Sequence, residues 1–275
     1  MKMHSQVING IPMRWHERGE ARSVPVILIH GIPTGPRLWR HVLPKINGAR
    51  CLAWEMVGYA GSITAGKDRD ISISQQAEYL VAWMDALGLE QVILAGHDLG
   101  GGVAQIAAVR DRNRCAGLFL TNAIAYDSWP IPSVKALRAT QGVVRHLPNA
   151  GVKLVMAALF HRGHNLAAQS QEALETHYPA YRDSDGAAAL ARQVAALNVR
   201  DTEAVAHDLP CLNIPARLAW GTADQFQKLR YGERLAKDLA APLRRIEGGK
   251  HFTPEDHAEI VSEEINLLLM DVGKA

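Results

Sequence analysis

The sequence predicts an α/β protein: a mostly parallel central sheet flanked by helices, with an inserted helical cap. Short apolar runs recur near residues 24–29, 91–95, 115–124, 216–220 and 243–246, as strands buried on both faces read. Helical spacing of apolar residues fills several of the gaps, the alternation expected when crossover helices join parallel strands. Between residues 126 and 209 the strands disappear. There the chain turns helical in character, rich in Ala, His and Arg and punctuated by Pro130, Pro132, Pro148 and Pro179.

Taken in order, Val7-Ile8-Asn9-Gly10-Ile11 sets Asn-Gly between apolar residues. This is a hairpin signal, because both turn positions take positive φ, so two antiparallel strands should open the chain. The strand at 24–29 ends at His30-Gly31, and a loop follows through Pro33, Gly35 and Pro36. A further strand is expected over 50–56, then a helix over 73–87 closed by Gly88 as C-cap. The strand at 91–95 runs straight into Gly96-His97-Asp98-Leu99-Gly100-Gly101-Gly102, before a helix over 103–109. After the helical stretch, a strand over 216–220 ends at Gly221-Thr222-Ala223-Asp224 and a helix follows over about 228–239. The last strand leads to Gly248-Gly249-Lys250-His251 and a final helix over about 254–269. The expected division is a core of residues 1–125 and 210–275 with a cap of residues 126–209.

Composition narrows the function. With 275 residues, 48% hydrophobic and 21% charged, the chain can bury a large core and is not disordered. Thirty basic residues against 28 acidic ones leave a formal charge of +2, and their dispersal argues against a nucleic-acid partner. Cys51, Cys115 and Cys211 are odd in number and form no CxxC, so three buried thiols are expected, with no disulfide framework or zinc site. No apolar h-region follows Lys2, and no apolar stretch reaches the roughly 18 residues of a membrane span. A cytoplasmic enzyme without membrane contact is expected. The glycines after Asp98 lack the GxGxxG spacing and downstream acid of a dinucleotide site, so no metal, nucleotide or organic cofactor is expected.

Around Asp98 the pattern is small, any, Asp, any, small, small, placed where a strand turns sharply into a helix. So tight a turn strains its central residue, admits only small neighbours and thrusts Asp98 into a cleft. Asp is also a favoured N-cap. What separates the two readings is chain order: Asp224 ends a later strand and His251 follows the last one, giving nucleophile, acid, histidine. Among rivals, His257 reads as a surface residue of the final helix and His97 as a packed core histidine. Asn122 cannot serve as an acid, and Asp127 is a poorer substitute for Asp224.

The segments His30-Gly31-Ile32-Pro33, Gly58-Tyr59-Ala60-Gly61-Ser62, Gly96-His97-Asp98-Leu99-Gly100-Gly101, Trp220-Gly221-Thr222-Ala223-Asp224 and Gly249-Lys250-His251-Phe252 recur in order. Together they resemble the α/β-hydrolase superfamily, and within it the aspartate-nucleophile branch of epoxide hydrolases and haloalkane dehalogenases. The resemblance covers both ends of the chain and is weak in the cap. It implies that Asp98 attacks carbon and that His251 then activates a water against the resulting ester. It further implies that Asp224 orients His251, and that the backbone N–H groups of Ile32 and Leu99 form the oxyanion hole. The chemistry favours a carboxylate here: a serine attacking an sp³ carbon would leave an ether that a histidine-activated water could not cleave, whereas a carboxylate leaves an ester.

The leaving group is less constrained. Dehalogenases of this branch hold halide with a side-chain amide at the position of Ile32 or an indole directly after the nucleophile, where this chain has Leu99. Trp39 and Trp129 are the indoles that could substitute, with wall packing as the alternative. Epoxide hydrolases of the branch protonate the ring oxygen from cap tyrosines, here Tyr178 and Tyr181 in His177-Tyr178-Pro179-Ala180-Tyr181-Arg182, or Tyr126 at the start of the cap. Epoxide opening is the favoured reaction, haloalkane or haloacid dehalogenation the alternative, and a non-enzymatic ligand receptor the reading from another class. Ester or lactone hydrolysis is disfavoured, since Asp98 would form an anhydride. Water and a small, largely apolar substrate are the expected partners. Met156, Leu159, Phe160, Trp129 and Ile131 suit an apolar pocket. His161, Arg162, His164 and Arg182 suit a solvated outer face, unless Arg162 or Arg182 turns inward toward an acidic substrate.

Overall fold

A computed structural model describes residues 2–20 and 24–274. Eight strands form one sheet in the order β1-β2-β4-β3-β5-β6-β7-β8. Strands β1 (Lys2–Ile8) and β2 (Ile11–Arg18) form the expected hairpin. Asn9 and Gly10 sit at φ 50° and 73°, as the Asn-Gly turn requires. Strand β2 pairs antiparallel with β4 (Cys51–Glu55). Strands β3 (Val26–Ile29), β5 (Val92–His97), β6 (Cys115–Thr121), β7 (Ala216–Gly221) and β8 (Leu243–Ile246) continue the sheet in parallel.

Between strands lie α1 (Ile73–Ala86) and α2 (Leu99–Arg110). Six helices then separate β6 from β7: α3 (Pro132–Ala139), α4 (Gln141–Val144), α5 (Asn149–Gly163), α6 (Ala167–Arg182), α7 (Gly186–Ala195) and α8 (Arg200–Glu203). The chain ends with α9 (Leu229–Asp238), α10 (Thr253–Asp256) and α11 (Ala258–Val272). None of the described helices is long and apolar enough to cross a membrane.

Because side chains alternate along a strand, the sheet feeds two core layers. Val92 and Leu94 of β5 pack into the layer holding Ile73, Leu80 and Val103 of α1 and α2. Ile93 and Ala95 face the opposite layer, with Val261, Ile265 and Leu268 of α11 and Met156 and Phe160 of α5. The chain leaves β3 toward β4 on one side and β5 toward β6 on the other. The carboxyl ends of β3 and β5 therefore border the crevice where α/β folds bind ligands.

Three expectations need correction. The final helix is broken at His257 (φ −133°, ψ 43°) into α10 and α11, since Asp256 and His257 are engaged with Asn165. Helix α2 starts at Leu99, directly at the turn. Cys51 and Cys115 are buried, their thiols pushed up to about 12 by desolvation, whereas Cys211 is exposed.

Candidate active site

Strand β5 ends at His97 and α2 begins at Leu99, so the whole reversal falls on Asp98. Its backbone sits at φ 51°, ψ −121°, costly for a residue with a side chain and tolerable only where neighbours over-determine it. The small residues are needed for close approach. A Cβ on Gly100 would strike the backbone oxygens of Ile29 and His30, and one on Gly31 would strike the Asp98 carboxylate.

Asp98 is 6% exposed. Its Oδ2 accepts the Ile32 backbone N–H at 3.0 Å, and the adjoining Leu99 N–H favours the charged carboxylate. Burial pushes the Asp98 pKa up, against the opposing pull of His251 and of these two amides. The loop carrying Ile32 is held by His30, whose Nδ1 lies 2.9 Å from the Gly31 carbonyl and whose Nε2 accepts the Met56 N–H at 3.2 Å. Burial lowers the His30 pKa to about 4, so it stays neutral and keeps that tautomer.

His251 completes the set. Its Nδ1 lies 2.9 Å from Asp224 Oδ2 and its Nε2 3.9 Å from Asp98 Oδ1. Burial opposes its protonation, but Asp224 and then Asp98 outweigh burial and raise its pKa. The ring is wedged edge-on against Phe226 and Phe252, at 4.9 and 5.0 Å between centroids. Asp224 is buried and saturated with donors: Asn122 Nδ2 at 2.6 Å on Oδ2 and the Phe226 N–H at 2.6 Å on Oδ1. Asn122, dismissed as an acid from sequence, thus holds the acid in place. His97 is packed as expected, its Nε2 3.0 Å from the His251 carbonyl. His257 bonds Asn165 and Asp127 is exposed.

A cavity of about 330 Å³ opens over Asp98 and His251. Helices from the segment between β6 and β7 supply Val134, Leu159 and Leu190 to its wall, and the core supplies Ile32, Leu99 and Phe226. Not every expected wall residue lies on it. The Tyr178 hydroxyl donates to the Asn149 carbonyl and the buried Tyr181 hydroxyl to Gln193, so neither lines the cavity. Tyr126 donates to Asp238. Trp129 does line the cavity, yet its indole N–H donates to Thr202 at 2.7 Å, while Trp39 is buried in the core layer away from the cavity. Leu159 and Ile131 reach the wall, but Met156 and Phe160 stay in the core beneath it.

His164, expected on a solvated face, is instead 1% exposed. It lies against Asp256 and Glu255, and Glu255 also accepts from Arg40 and His177. Together with the Gly163 carbonyl, which accepts the His251 and Phe252 N–H groups at 2.9 and 3.2 Å, this cluster ties α5 and α6 to the His251 loop.

Two carboxylates and an imidazole thus meet at the carboxyl edge of a parallel sheet, the organisation of an α/β enzyme. Residues 24–258 match the family model described as alpha/beta hydrolase fold, and the chain belongs to that family. It is similar to a haloalkane dehalogenase of Mesorhizobium japonicum, 28% identical across 94% of this chain and 88% of that one. It is also similar to epoxide hydrolase 3 of Xenopus tropicalis, 31% identical across 42% of this chain and 32% of that one. An alpha/beta hydrolase fold protein from Burkholderia ambifaria shares the fold, with a TM-score of 0.85 at 24% identity over 95% and 96% of the two chains.

Proposed function

We propose that the chain is a hydrolase that opens a carbon–oxygen or carbon–halogen bond through an alkyl ester on Asp98, with the segment between β6 and β7 acting as a cap over the site. The observation that carries this reading is the division of labour between the Asp98 oxygens. Oδ2 is held by the Ile32 N–H, while Oδ1 is the oxygen nearer His251. Oδ1 attacks the substrate carbon and the carbon–leaving-group bond breaks. In the ester Oδ2 is the carbonyl oxygen. His251 takes a proton from water, the hydroxide adds to Cγ, and the negative charge develops on Oδ2 between the Ile32 and Leu99 amides. Collapse releases the product alcohol, which takes the proton from His251. Asp224 keeps the Nδ1 side of the ring fixed so that Nε2 faces the water.

Epoxide opening is the reaction we carry forward, because the leaving oxygen stays tethered to the carbon skeleton and needs no separate halide cradle. The alkoxide takes up one proton, and Asp98 returns one when its carboxylic acid ionises at the end of the cycle. Tyr178 and Tyr181 are not the donors in this reading, since neither lines the cavity. Dehalogenation is the second reading, favoured by the similarity to the Mesorhizobium dehalogenase over nearly the whole chain. Against it, this chain has Ile32 where a side-chain amide would hold halide and Leu99 where an indole would. A paired assay tests the choice: diol from styrene oxide supports epoxide opening, whereas bromide from 1-bromohexane without diol overturns it. A ligand receptor would turn over neither.

A further inference from the structure

One polar side chain on the cavity wall has no part in the proposed chemistry. Gln227 is 3% exposed, lines the cavity, and its carboxamide Oε1 has no hydrogen-bond partner among the described residues. A buried acceptor left unmade is costly, and a ligand that donates to it removes that cost.

The backbone beneath Gln227 is rigidly placed. Asp224 Oδ1 accepts the Phe226 N–H, and the buried Trp220 indole donates to the Gln227 carbonyl at 2.8 Å. Gln227 therefore stands on the cavity wall on a fixed loop next to Phe226, which packs on His251. Other polar groups on the wall are already engaged: Asp98 and His251 with each other and the triad acid, and the Trp129 indole with Thr202. Arg162 is exposed, its Nε donating to Gln225 at 3.1 Å and its guanidinium lying over Phe226 at 4.9 Å, so it is not an interior anchor for an anion.

We infer that Gln227 is a substrate-recognition residue whose carboxamide receives a neutral hydroxyl group on an otherwise apolar substrate, away from the carbon that Asp98 attacks. An amide both accepts and donates, which matches a hydroxyl better than a carboxylate or a bare hydrocarbon. This rests on the cavity being the substrate site proposed above. It does not depend on Asp98 forming an ester.

Equilibrium binding, with no turnover involved, tests it. Calorimetric titration with 2-phenylethanol and with ethylbenzene should show the alcohol binding about tenfold more tightly, the effect of one neutral hydrogen bond. Gln227→Met, of similar size, should weaken the alcohol about tenfold and leave the hydrocarbon unchanged. Gln227→Glu, which retains an acceptor, should keep the preference for the alcohol and guards against a fold defect in the methionine variant. An unchanged preference in Gln227→Met, or wild-type protein that does not distinguish the two probes, would overturn the inference. A failure of the Asp98 chemistry would show separately, as normal binding without covalent adduct.

Discussion

Replacing Glu255 by Gln tests whether the cluster beside His251 is held by charge. The Glu255 side chain is 2% exposed and contacts His164, His177 and Arg40. Burial alone would raise its pKa, but His164, His177 and Arg40 outweigh burial and hold it well below the usual carboxylate range. Breaking a buried ion pair from one side typically costs about 3–5 kcal/mol. Arg40 retains Glu172 and His164 retains Asp256, which places the loss near the lower end, about 3 kcal/mol. For a chain of this size that is roughly 6–12 °C in Tm. The sign with pH follows from two opposed shifts. The lowered Glu255 contributes stability above its unfolded value near 4.5, lost as pH falls through its depressed folded value. His164 is raised, because Asp256 and Glu255 outweigh burial, so its contribution is full below its unfolded value near 6.5 and is lost as pH rises through the raised one. Thermal melts followed by circular dichroism should therefore show the widest gap between wild type and Glu255→Gln at about pH 5–6, narrowing as pH drops below the ordinary carboxylate value. A gap under about 2 °C at pH 6, or one unchanged down to pH 3, would refute the electrostatic reasoning.

Other outcomes follow from the same geometry. Asp98→Asn should lower steady-state turnover by at least about 10⁴ and raise Tm, because a desolvated carboxylate is replaced by a neutral amide; turnover at wild-type rate would contradict the nucleophile role. Wild-type kcat should fall on the acid side as His251 becomes protonated, since only its neutral form activates water; Asp98 is uncharged once esterified, so Asp224 is the partner that holds this limb up. Asp224→Asn should lower kcat by about 10⁴ and shift that limb to lower pH, and a limb that stays put would remove Asp224 from the assignment. Gly100→Ala should cost about 3 kcal/mol in a urea titration, the upper end of the usual overpacking range, because the new methyl meets backbone oxygens of Ile29 and His30 that cannot retreat.

Local signals and tertiary ones were unequally legible. Asn9-Gly10 announces its hairpin because the turn chemistry is confined to two residues, and the glycines around Asp98 announce the reversal because backbone crowding permits little else. The apolar runs marked the sheet for the same reason: burial on both faces leaves few alternatives. The break at His257 has no such signature, since Asp256 is engaged by the Asn165 N–H and by His164, which lie about ninety positions away in the chain. His164 was equally hidden, because its buried acids come from α10. Tyr178 and Tyr181 are three apart on α6, yet one ends at the Asn149 carbonyl and the other in the core against Gln193, an outcome set by packing among helices rather than by spacing. Gln227 and Asn122 are lone polar residues whose roles depend on what the loops after β6 and β7 bring beside them.

The most direct test of the alkyl-ester mechanism is intact-protein mass spectrometry of the His251→Gln variant after brief exposure to styrene oxide or 1-bromohexane. Without the base, the ester should form and persist. The predicted result is a single adduct equal to the whole epoxide, or to the hexyl group in place of a proton, mapping by peptide digestion to Asp98. Protein that remains unmodified by both reagents while wild type turns one of them over, or an adduct on another residue, would contradict the mechanism.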